Sequence, residues 1–353
     1  MLKISDLPTP PIEKIGFPWT LATEELPPQY FDENLPKISI ITPTLNQGKY
    51  IEETIRSVLL QNYPKLEYII VDGGSTDETL NIIKKYEAWI TYWISEPDEG
   101  QSDAINKGLK QATGEVFNWL NSDDTYLPHA LLTVGQYFLD KNLDVLCGRE
   151  IQRTSGGNEW ITNGTILRPS LEETIAWAFC NQPPTFTRLS IVKALGGLDN
   201  NLHFCMDAEL WVHYLTRFGD KNVKKVDDVL NIFRVHAASK TSNLTQIYYR
   251  DRFNILLALG KSLKTVRFPS DFINDSPFFI PYFYRVYTYI EIIDEKKLAA
   301  YTTERLLTYH VQYMSWSSMF RFYFFILRLK LFGWQWRVYF VPFIKIKRLF
   351  LPV

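Results

Sequence analysis

The chain has 353 residues, of which 46% are hydrophobic, so it can bury a full core and is predicted to form one large domain with an appendage. Its formal net charge of -1 argues against general nucleic-acid binding, although an even total can hide an uneven distribution along the chain. Its three cysteines, Cys147, Cys180 and Cys205, are widely spaced, odd in number and form no Cys-x-x-Cys, so they indicate neither a disulfide framework nor a zinc site.

The first 36 residues carry no recognisable export signal. They lack a continuous apolar stretch, and no uncharged apolar run in the chain approaches the roughly 18 residues that span a bilayer. We therefore expect a cytoplasmic protein. Residues 1–36 are rich in proline and acidic residues, which predicts an extended leader packed on the domain that follows.

Apolar strands alternate with helical segments between residues 37 and 120. Strands are predicted over Lys37–Pro43, Leu66–Val71, Ile90–Ser95 and Val116–Leu120. Helices are predicted around Ile51, Ile55, Val58 and Leu59, after a capping box of Ser75 and Glu78, and over Gln101–Ala112. This alternation predicts the α/β class, with a mostly parallel sheet covered by helices on both faces.

Polar loops follow each of these strands. Loops after parallel strands gather along one edge of the sheet, where ligands bind in open α/β folds. We therefore expect four segments to line one crevice: Thr42 to Asn46, Asp72 to Gly74, Glu96 to Asp103, and Asp123-Asp124. Each segment has a structural alternative, since such residues also cap helices, form turns or lie in solvated loops.

The Asp123-Asp124 turn is the strongest candidate for binding chemistry. It follows a buried strand directly, and two carboxylates on a short turn suit Mg²⁺ or Mn²⁺ carrying a diphosphate. The alternative is an ordinary turn in which aspartate side chains bond their own backbone. Neither a dinucleotide-binding glycine motif nor a P-loop is present. A metal bound to Asp124 is therefore the simplest way to neutralise the charge of a phosphate.

Four segments together resemble the successive motifs of family 2 glycosyltransferases. They are Ile-Ser-Ile-Ile-Thr-Pro-Thr-Leu-Asn46, Tyr-Ile-Ile-Val-Asp-Gly-Gly-Ser-Thr-Asp77, Asp-Glu-Gly-Gln-Ser-Asp-Ala-Ile-Asn-Lys-Gly108 and Asn-Ser-Asp-Asp124. The resemblance covers about residues 36 to 240. It implies the Rossmann-like GT-A fold, a nucleotide-sugar donor, a divalent metal and inversion at the anomeric carbon.

The resemblance also assigns roles to individual residues. It implies that Thr42, Pro43 and Asn46 border the nucleoside, that Asp72 contacts the base, and that Asp103 lies beside the nucleotide. It further implies that Asp123 faces the ribose or diphosphate and that Asp124 is the metal ligand. Ser122 stands where a full Asp-x-Asp motif has its first aspartate, which leaves Asp124 as the carboxylate bound directly to metal.

A second acidic segment, Phe204-Cys-Met-Asp-Ala-Glu-Leu-Trp211, begins a predicted helix. An acceptor hydroxyl needs a base to take its proton, and a positioned carboxylate can do this. Positions i and i+2 of a helix diverge, so only one of Asp207 and Glu209 is expected to face the crevice. The family pattern implies Asp207, with Glu209 in reserve; the alternative is a pair of acids favoured by the helix dipole.

The segment Phe233-Arg-Val-His-Ala-Ala-Ser-Lys240 resembles a loop that closes over the diphosphate in this family. The resemblance implies that His236 ligates the metal or bonds a phosphate, while Arg234 or Lys240 neutralises the leaving group. The alternative is a solvated loop histidine.

The last hundred residues lie beyond the resemblance. Helices are predicted over Ile247 to Leu263 and Tyr282 to Leu307, and the tail from Met319 to Phe350 alternates basic with aromatic residues. Trp334, Trp336 and Tyr339 suit the headgroup region of a membrane, and nearby basic residues would be drawn to anionic lipid. The alternative is a tail that packs on the catalytic domain or forms an oligomer interface.

The sequence therefore predicts a cytoplasmic glycosyltransferase, held peripherally at the membrane, that moves a hexose from a UDP-sugar to an acceptor hydroxyl. We expect a sugar or lipid-linked acceptor in polysaccharide or glycolipid synthesis, Mn²⁺ or Mg²⁺ as cofactor, and no nucleic-acid partner. The predicted organisation is a leader (1–36), a GT-A domain (37–244) and a helical extension (245–353). Alternatives are a silent sugar-nucleotide-binding scaffold, which would need no Asp207, and a nucleotidyltransferase, which would want a glycine-rich, lysine-bearing first loop.

Overall fold

The computed structural model describes residues 2–24, 32–237, 239, 245–267 and 286–310, together with five helical positions between 317 and 328. Nearly all of the basic and aromatic tail from Met319 to Phe350 lies outside the described residues. Lys240 lies outside them as well.

The strands and helices alternate through the first half of the chain. The strands are β1 (Ile38–Thr44), β2 (Leu66–Asp72), β3 (Tyr92–Ser95), β4 (Val116–Trp119), β5 (Thr125–Tyr126), β6 (Val145–Thr154), β7 (Glu159–Ile161), β8 (Thr185–Arg188) and β9 (Val223–Val235). The α-helices are α1 (Ile51–Leu59), α2 (Thr79–Tyr86), α3 (Gln101–Gln111), α4 (Ala130–Tyr137), α5 (Leu171–Trp177), α6 (Leu189–Ala194), α7 (Met206–Phe218), α8 (Thr245–Lys261) and α9 (Glu295–His310). All four predicted strands and the three predicted helices before residue 120 are confirmed.

The described strands form one mixed sheet in the order β3-β2-β1-β4-β8-β6-β9-β5, with β7 paired to β6. Strands β3, β2, β1 and β4 are mutually parallel, as the alternation predicted. Strand β8 then runs antiparallel to both β4 and β6. The mixed half of the sheet was not predicted. It depends on the parallel pairing of β6 with β9, two strands that lie far apart in the sequence.

The core lies against the parallel half of the sheet. Every residue of β1 is buried, as expected for a strand between two parallel neighbours with both faces covered. Apolar residues of α1, including Ile51, Ile55 and Val58, are fully buried in the same cluster as Ile38 and Ile40. Their helical spacing therefore marked the face that packs on the sheet.

Two local predictions were wrong. Ser75 does not cap α2, because its hydroxyl is bound to the Asp72 carboxylate, and Asp77 accepts the Thr79 amide at 3.0 Å instead. The second C-terminal helix does not begin near residue 282, since residues 286–294 are not helical. It begins at Glu295, because Asp294 accepts the first free amides of the helix and so acts as its cap.

The chain divides into two compact units. The first comprises Met1–Ile166, Cys180–Leu210 and Lys221–Asn243 and contains the whole sheet; the second comprises Leu167–Phe179, Trp211–Asp220 and Leu244–Val353. Within the second unit, the buried guanidinium of Arg252 donates to the carbonyl oxygens of Trp177 and Ala178 at the end of α5. None of the helices in the described ranges is both long and apolar enough to cross a membrane.

Candidate active site at the sheet edge

The carboxyl ends of the parallel strands align at one edge of the sheet. Thr44 pairs with Asp72, and Asp72 pairs with Ser95, so three strands end at the same level. The amide of Leu120, just past β4, donates to the carbonyl of Ile41 at 3.0 Å and brings the fourth strand alongside. The loops that carry the predicted residues therefore share this edge.

Thr42 and Pro43 lie inside β1 rather than in the loop after it. Both are buried, and the Thr42 hydroxyl lies 3.1 Å from the Tyr68 hydroxyl within the sheet. Asn46 is exposed in the loop, where its backbone amide donates to Ser75 Oγ at 2.7 Å and its Oδ1 accepts from the Thr76 amide at 2.9 Å. Asn46 thus joins the loops after β1 and β2 and does not cap α1.

Asp72 is buried, and its carboxylate organises the turn after β2. It accepts hydrogen bonds from the Gly74 amide at 3.0 Å, the Ser75 amide at 2.9 Å and the Ser95 hydroxyl at 2.7 Å. These bonds occupy the side chain that the resemblance assigns to base recognition. That role remains a prediction.

Asp103 lies in the first turn of α3. Its carboxylate accepts from the Glu99 amide at 3.2 Å and lies 3.4 Å from the Lys107 ammonium. Burial alone would raise the pKa of Asp103, but the Glu99 amide, Lys107 and Asn200 outweigh burial and lower the pKa. The side chain is therefore a stable anion close to the sheet edge.

Asp124 is buried, with 1% of its surface exposed, although it lies on a loop. Its Oδ1 accepts from the Arg234 amide at 2.9 Å, and its Oδ2 accepts from Asn121 Nδ2 at 3.2 Å. Burial, followed by the charge of neighbouring Asp123, raises the pKa of Asp124 well above its usual range. A positive charge bound here would relieve that cost.

Thr54 of α1 is hydrogen-bonded to the turn that carries Asp124. Its hydroxyl bonds the carbonyl oxygens of both Ser122 at 2.9 Å and Asp124 at 2.7 Å. The residue was not predicted to take part in the site. A threonine inside an amphipathic helix carries no local signal of this role, because its partners lie far along the chain.

His236 lies beside the acidic turn. Its Nε2 is 3.0 Å from Asp123 Oδ2, and its ring stacks on Tyr50 with the centroids 4.6 Å apart. The structure thus places His236 beside the turn that carries Asp123 and Asp124, and its role as a metal ligand or phosphate contact stays a prediction. In this arrangement Nε2 contacts the Asp123 carboxylate.

Arg234 contributes a half-buried guanidinium to the site. Its Nη1 donates to Glu53 of α1 at 3.0 Å, and the group lies over the Tyr50 ring, 5.4 Å from its centroid. Its Nε and Nη2 are buried and have no hydrogen-bond partner among the described residues. Buried donors of this kind are costly unless another group accepts from them, so they indicate a site for an anion.

The two acidic residues of α7 diverge, as their spacing predicted. Asp207 is half-buried and its Oδ1 accepts from the Ala208 amide at 2.8 Å, whereas Glu209 is fully buried. Asp207 is therefore the more exposed of the two carboxylates. Glu209 has its contacts inside the protein.

Comparison with known proteins identifies the domain that carries this site. Residues 39–204 match the family model described as glycosyl transferase family 2. The chain contains a family 2 glycosyltransferase domain. An uncharacterised glycosyltransferase of Rickettsia typhi is 30% identical over 220 residues, a match that covers 59% of this chain and 66% of that protein. The chain thus spans just under two thirds of that relative.

Other relatives agree with this assignment. The putative teichuronic acid biosynthesis glycosyltransferase TuaG of Bacillus subtilis is 37% identical over 110 residues, which cover 30% of this chain and 44% of TuaG. The crystal structure of S. aureus TarS superposes with a TM-score of 0.53 at 21% identity, covering 80% of this chain and 44% of TarS. The TarS complex with UDP-GlcNAc also has a TM-score of 0.53, at 20% identity and with 78% and 73% coverage. The likeness to TarS confirms the predicted GT-A fold class.

The donor set of the glycosyltransferase domain fits a hard divalent cation. Asp123 and Asp124 offer carboxylate oxygens, the ligand type that Mg²⁺ and Mn²⁺ prefer. Within the described ranges no group of three or more histidine, cysteine, aspartate or glutamate side chains is placed to hold a metal.

Proposed function

We propose that this chain is an inverting glycosyltransferase that moves a sugar from a nucleoside-diphosphate donor to an acceptor hydroxyl. One observation carries the proposal. The buried Asp124 carboxylate is bonded to the backbone of Arg234, whose guanidinium keeps two buried donors without a protein partner in the described part of the chain. Carboxylates that suit a metal cation therefore lie next to the Arg234 guanidinium, which suits phosphate. A metal-bound diphosphate requires both kinds of group.

In the proposed donor complex, Asp124 would hold Mn²⁺ or Mg²⁺, which would neutralise charge on the diphosphate, while Asp123 would face the ribose or diphosphate. Arg234 Nε and Nη2 donate to phosphate oxygens, since a guanidinium matches phosphate geometry in a forked manner. His236 can exchange its contact with Asp123 for one to the metal or to the diphosphate. Asn46, with Thr42 and Pro43 behind it, borders the nucleoside.

The proposed chemistry is a single displacement assisted by Asp207. The Asp207 carboxylate takes the proton of the acceptor hydroxyl as the acceptor oxygen bonds to the anomeric carbon. The bond between that carbon and the phosphate oxygen breaks, and the nucleoside diphosphate leaves with the electron pair. Attack from the face opposite the leaving group inverts the anomeric configuration. The half-buried position of Asp207 supports its role as the base. The complete burial of Glu209 argues against Glu209 in that role.

UDP-sugars are the first donors to test, because the related fold of TarS has been solved with UDP-GlcNAc. The acceptor proposed is a lipid-linked or growing polysaccharide. The name of TuaG, a teichuronic acid biosynthesis protein, supports an acceptor of this class. A peripheral position at an anionic membrane surface, proposed from the basic and aromatic tail, would place the site near such an acceptor.

The test is a donor panel with the purified 353-residue chain. Release of nucleoside diphosphate from UDP-, GDP- and dTDP-sugars, and of CMP from CMP-sugars, is measured with Mn²⁺, with Mg²⁺ and with EDTA. We expect turnover with at least one UDP-sugar that depends on metal and increases with an acceptor saccharide. Binding without turnover for every donor would favour the silent scaffold, and formation of a nucleotide sugar from a nucleoside triphosphate and a sugar phosphate would favour a nucleotidyltransferase.

A further inference from the structure

Helix α3 is hydrogen-bonded to residues 198–202, the segment that leads into α7. Three of its residues, Ser102, Asp103 and Asn106, which lie within about one turn of the helix, bond this segment. Ser102 Oγ donates to the Leu202 carbonyl at 3.0 Å, and Asp103 Oδ1 accepts from Asn200 Nδ2 at 3.3 Å. Asn106 makes the remaining bonds and is the centre of the contact.

The side-chain amide of Asn106 both accepts and donates hydrogen bonds. Its Oδ1 accepts from the Leu198 amide at 2.9 Å, while its Nδ2 donates to the Leu198 carbonyl at 2.9 Å and to Asn200 Oδ1 at 2.8 Å. The side chain thus holds both polar groups of one residue in the segment. Only an amide can do this, because it carries an acceptor and two donors on a short side chain.

The approach of the two segments is close enough to require glycine. Gly197 has φ of +75°, and a Cβ there would lie 2.5 Å from Asn106 Oδ1. A left-handed backbone and a missing side chain together let the Leu198 backbone reach the asparagine. Leu202, further along, is fully buried, so the segment is held at both ends.

This contact links the two halves of the proposed reaction. The first turn of α3 carries Asp103, on the donor side, and the fastened segment runs from Leu198 through Leu202 to the start of α7 with Asp207. The first backbone bond of α7, from the Glu209 amide to the Cys205 carbonyl at 3.0 Å, follows directly. Asp207 therefore follows the end of this segment closely along the chain, in the first turn of α7.

We propose that Asn106 is a positioning residue that sets Asp207 relative to the donor site. This inference rests on the proposed function, since it takes Asp207 as the base. Asn106 touches neither donor nor acceptor in this role. It acts by holding the segment 198–202, because a displacement of about 1 Å at a catalytic group can cost on the order of 10²-fold in rate.

The test compares Asn106→Ala with two other variants of α3. Ser102→Ala removes a single bond to the same segment, and Lys110→Ala changes an exposed residue of the same helix. For Asn106→Ala we expect kcat of sugar transfer to fall about 10²-fold while the calorimetric affinity for UDP with Mn²⁺ is retained. Ser102→Ala should show a smaller loss of kcat in the same direction, and Lys110→Ala should behave as wild type.

Hydrogen exchange provides a second readout that needs no activity. In Asn106→Ala we expect faster exchange of the amides from Leu198 to Glu209 and no change in β1 and β2. Unchanged exchange in that segment, or parallel loss of kcat, UDP affinity and Tm, would overturn the positioning role. If the wild-type chain transfers no sugar from any donor, the proposed function fails, and exchange alone still decides whether Asn106 holds the segment.

Discussion

The backbone amide of Arg234 donates to Oδ1 of Asp124 over 2.9 Å and joins two residues 110 positions apart in the chain. This bond brings the last part of β9 to the acidic turn after β4. It also carries the Arg234 guanidinium and His236 to the same place. The diphosphate site that we propose therefore depends on β9 lying next to β5 and β6 in the sheet.

Replacing Asp124 by asparagine should abolish metal-dependent nucleotide binding. Asparagine can still accept from the Arg234 amide, so the turn should persist while the negative charge is lost. Calorimetry of UDP with and without Mn²⁺ measures this directly. We expect wild type to bind UDP more tightly with Mn²⁺ and Asp124→Asn to lose the difference, whereas Asp140→Asn, at an exposed turn, should keep it. An undiminished Mn²⁺ effect in Asp124→Asn would remove its role as metal ligand.

Replacing Asp207 by asparagine should separate binding from turnover. Donor affinity should stay near wild type, while transfer should drop by roughly 10²-fold or more, the usual contribution of a positioned base. Glu209→Gln is the matched comparison, with Tm recorded because Glu209 is fully buried. If Glu209→Gln stops transfer in a folded protein and Asp207→Asn does not, Glu209 is the base.

Replacing Arg234 should weaken diphosphate binding. Hydrogen bonds to charged groups contribute about 1.5–3 kcal/mol, so Arg234→Gln should raise the Kd for UDP by roughly 10- to 100-fold. Glu53→Gln breaks the ion pair at 3.0 Å but leaves the guanidinium in place, and it should have a much smaller effect. Uridine, which lacks phosphate, should bind both variants as it binds wild type. Equal losses for uridine and UDP would contradict a phosphate contact.

Glu67 should make stability depend on acid pH. Burial alone would raise its pKa, but hydrogen bonds from three neighbours outweigh burial and lower the pKa from about 4.5 to about 2. These neighbours are Lys37, Ser39 and Thr113. Because the folded pKa is the lower one, the stabilisation is fully present above pH 4.5 and is lost as pH falls towards 2.

The corresponding variant is Glu67→Gln. It should lower the free energy of unfolding at pH 7 by about 1–3 kcal/mol, since buried partners lose an ionised acceptor. The Tm difference from wild type should shrink as pH falls below 4.5. Glu115→Gln, which removes a surface ion pair to Lys141, should change Tm little at either pH. A Tm difference for Glu67→Gln that stays constant down to pH 3 would contradict the lowered pKa.

The basic and aromatic tail should bind anionic membranes. Each lysine or arginine near the surface contributes about 1 kcal/mol of attraction to anionic lipid. Co-sedimentation with vesicles compares the whole chain with a chain ending near Ser318, on neutral and anionic lipid and at low and high salt. We expect salt-sensitive binding of the whole chain to anionic vesicles only. Failure of both chains to bind would favour a tail packed within the protein or its oligomer.

The sequence by itself determined the parallel half of the sheet and the edge where the site lies. Hydrophobic alternation over a few residues sets each strand and helix, and the carboxyl ends of parallel strands must meet at one edge. Asp124 could be singled out for this reason, because it follows β4 directly. The family motifs added roles for Asp72, Asp103, Asp207 and His236 that no local pattern distinguishes from turn or capping chemistry.

Only the tertiary structure decided which of these groups meet and how each side chain is used. Ser75 was predicted to cap a helix but bonds Asp72 instead, and the fully buried Arg56 of α1 donates to the carbonyl oxygens of Pro8, Pro18 and Trp19 in the leader. Asn106 is hydrogen-bonded to Leu198, which lies 92 residues further along the chain. Side-chain hydrogen bonds depend on groups that packing brings together from distant parts of the chain, whereas local propensity acts over one strand or helix. The sheet edge was therefore predictable from short segments, and the contacts that complete the site were not.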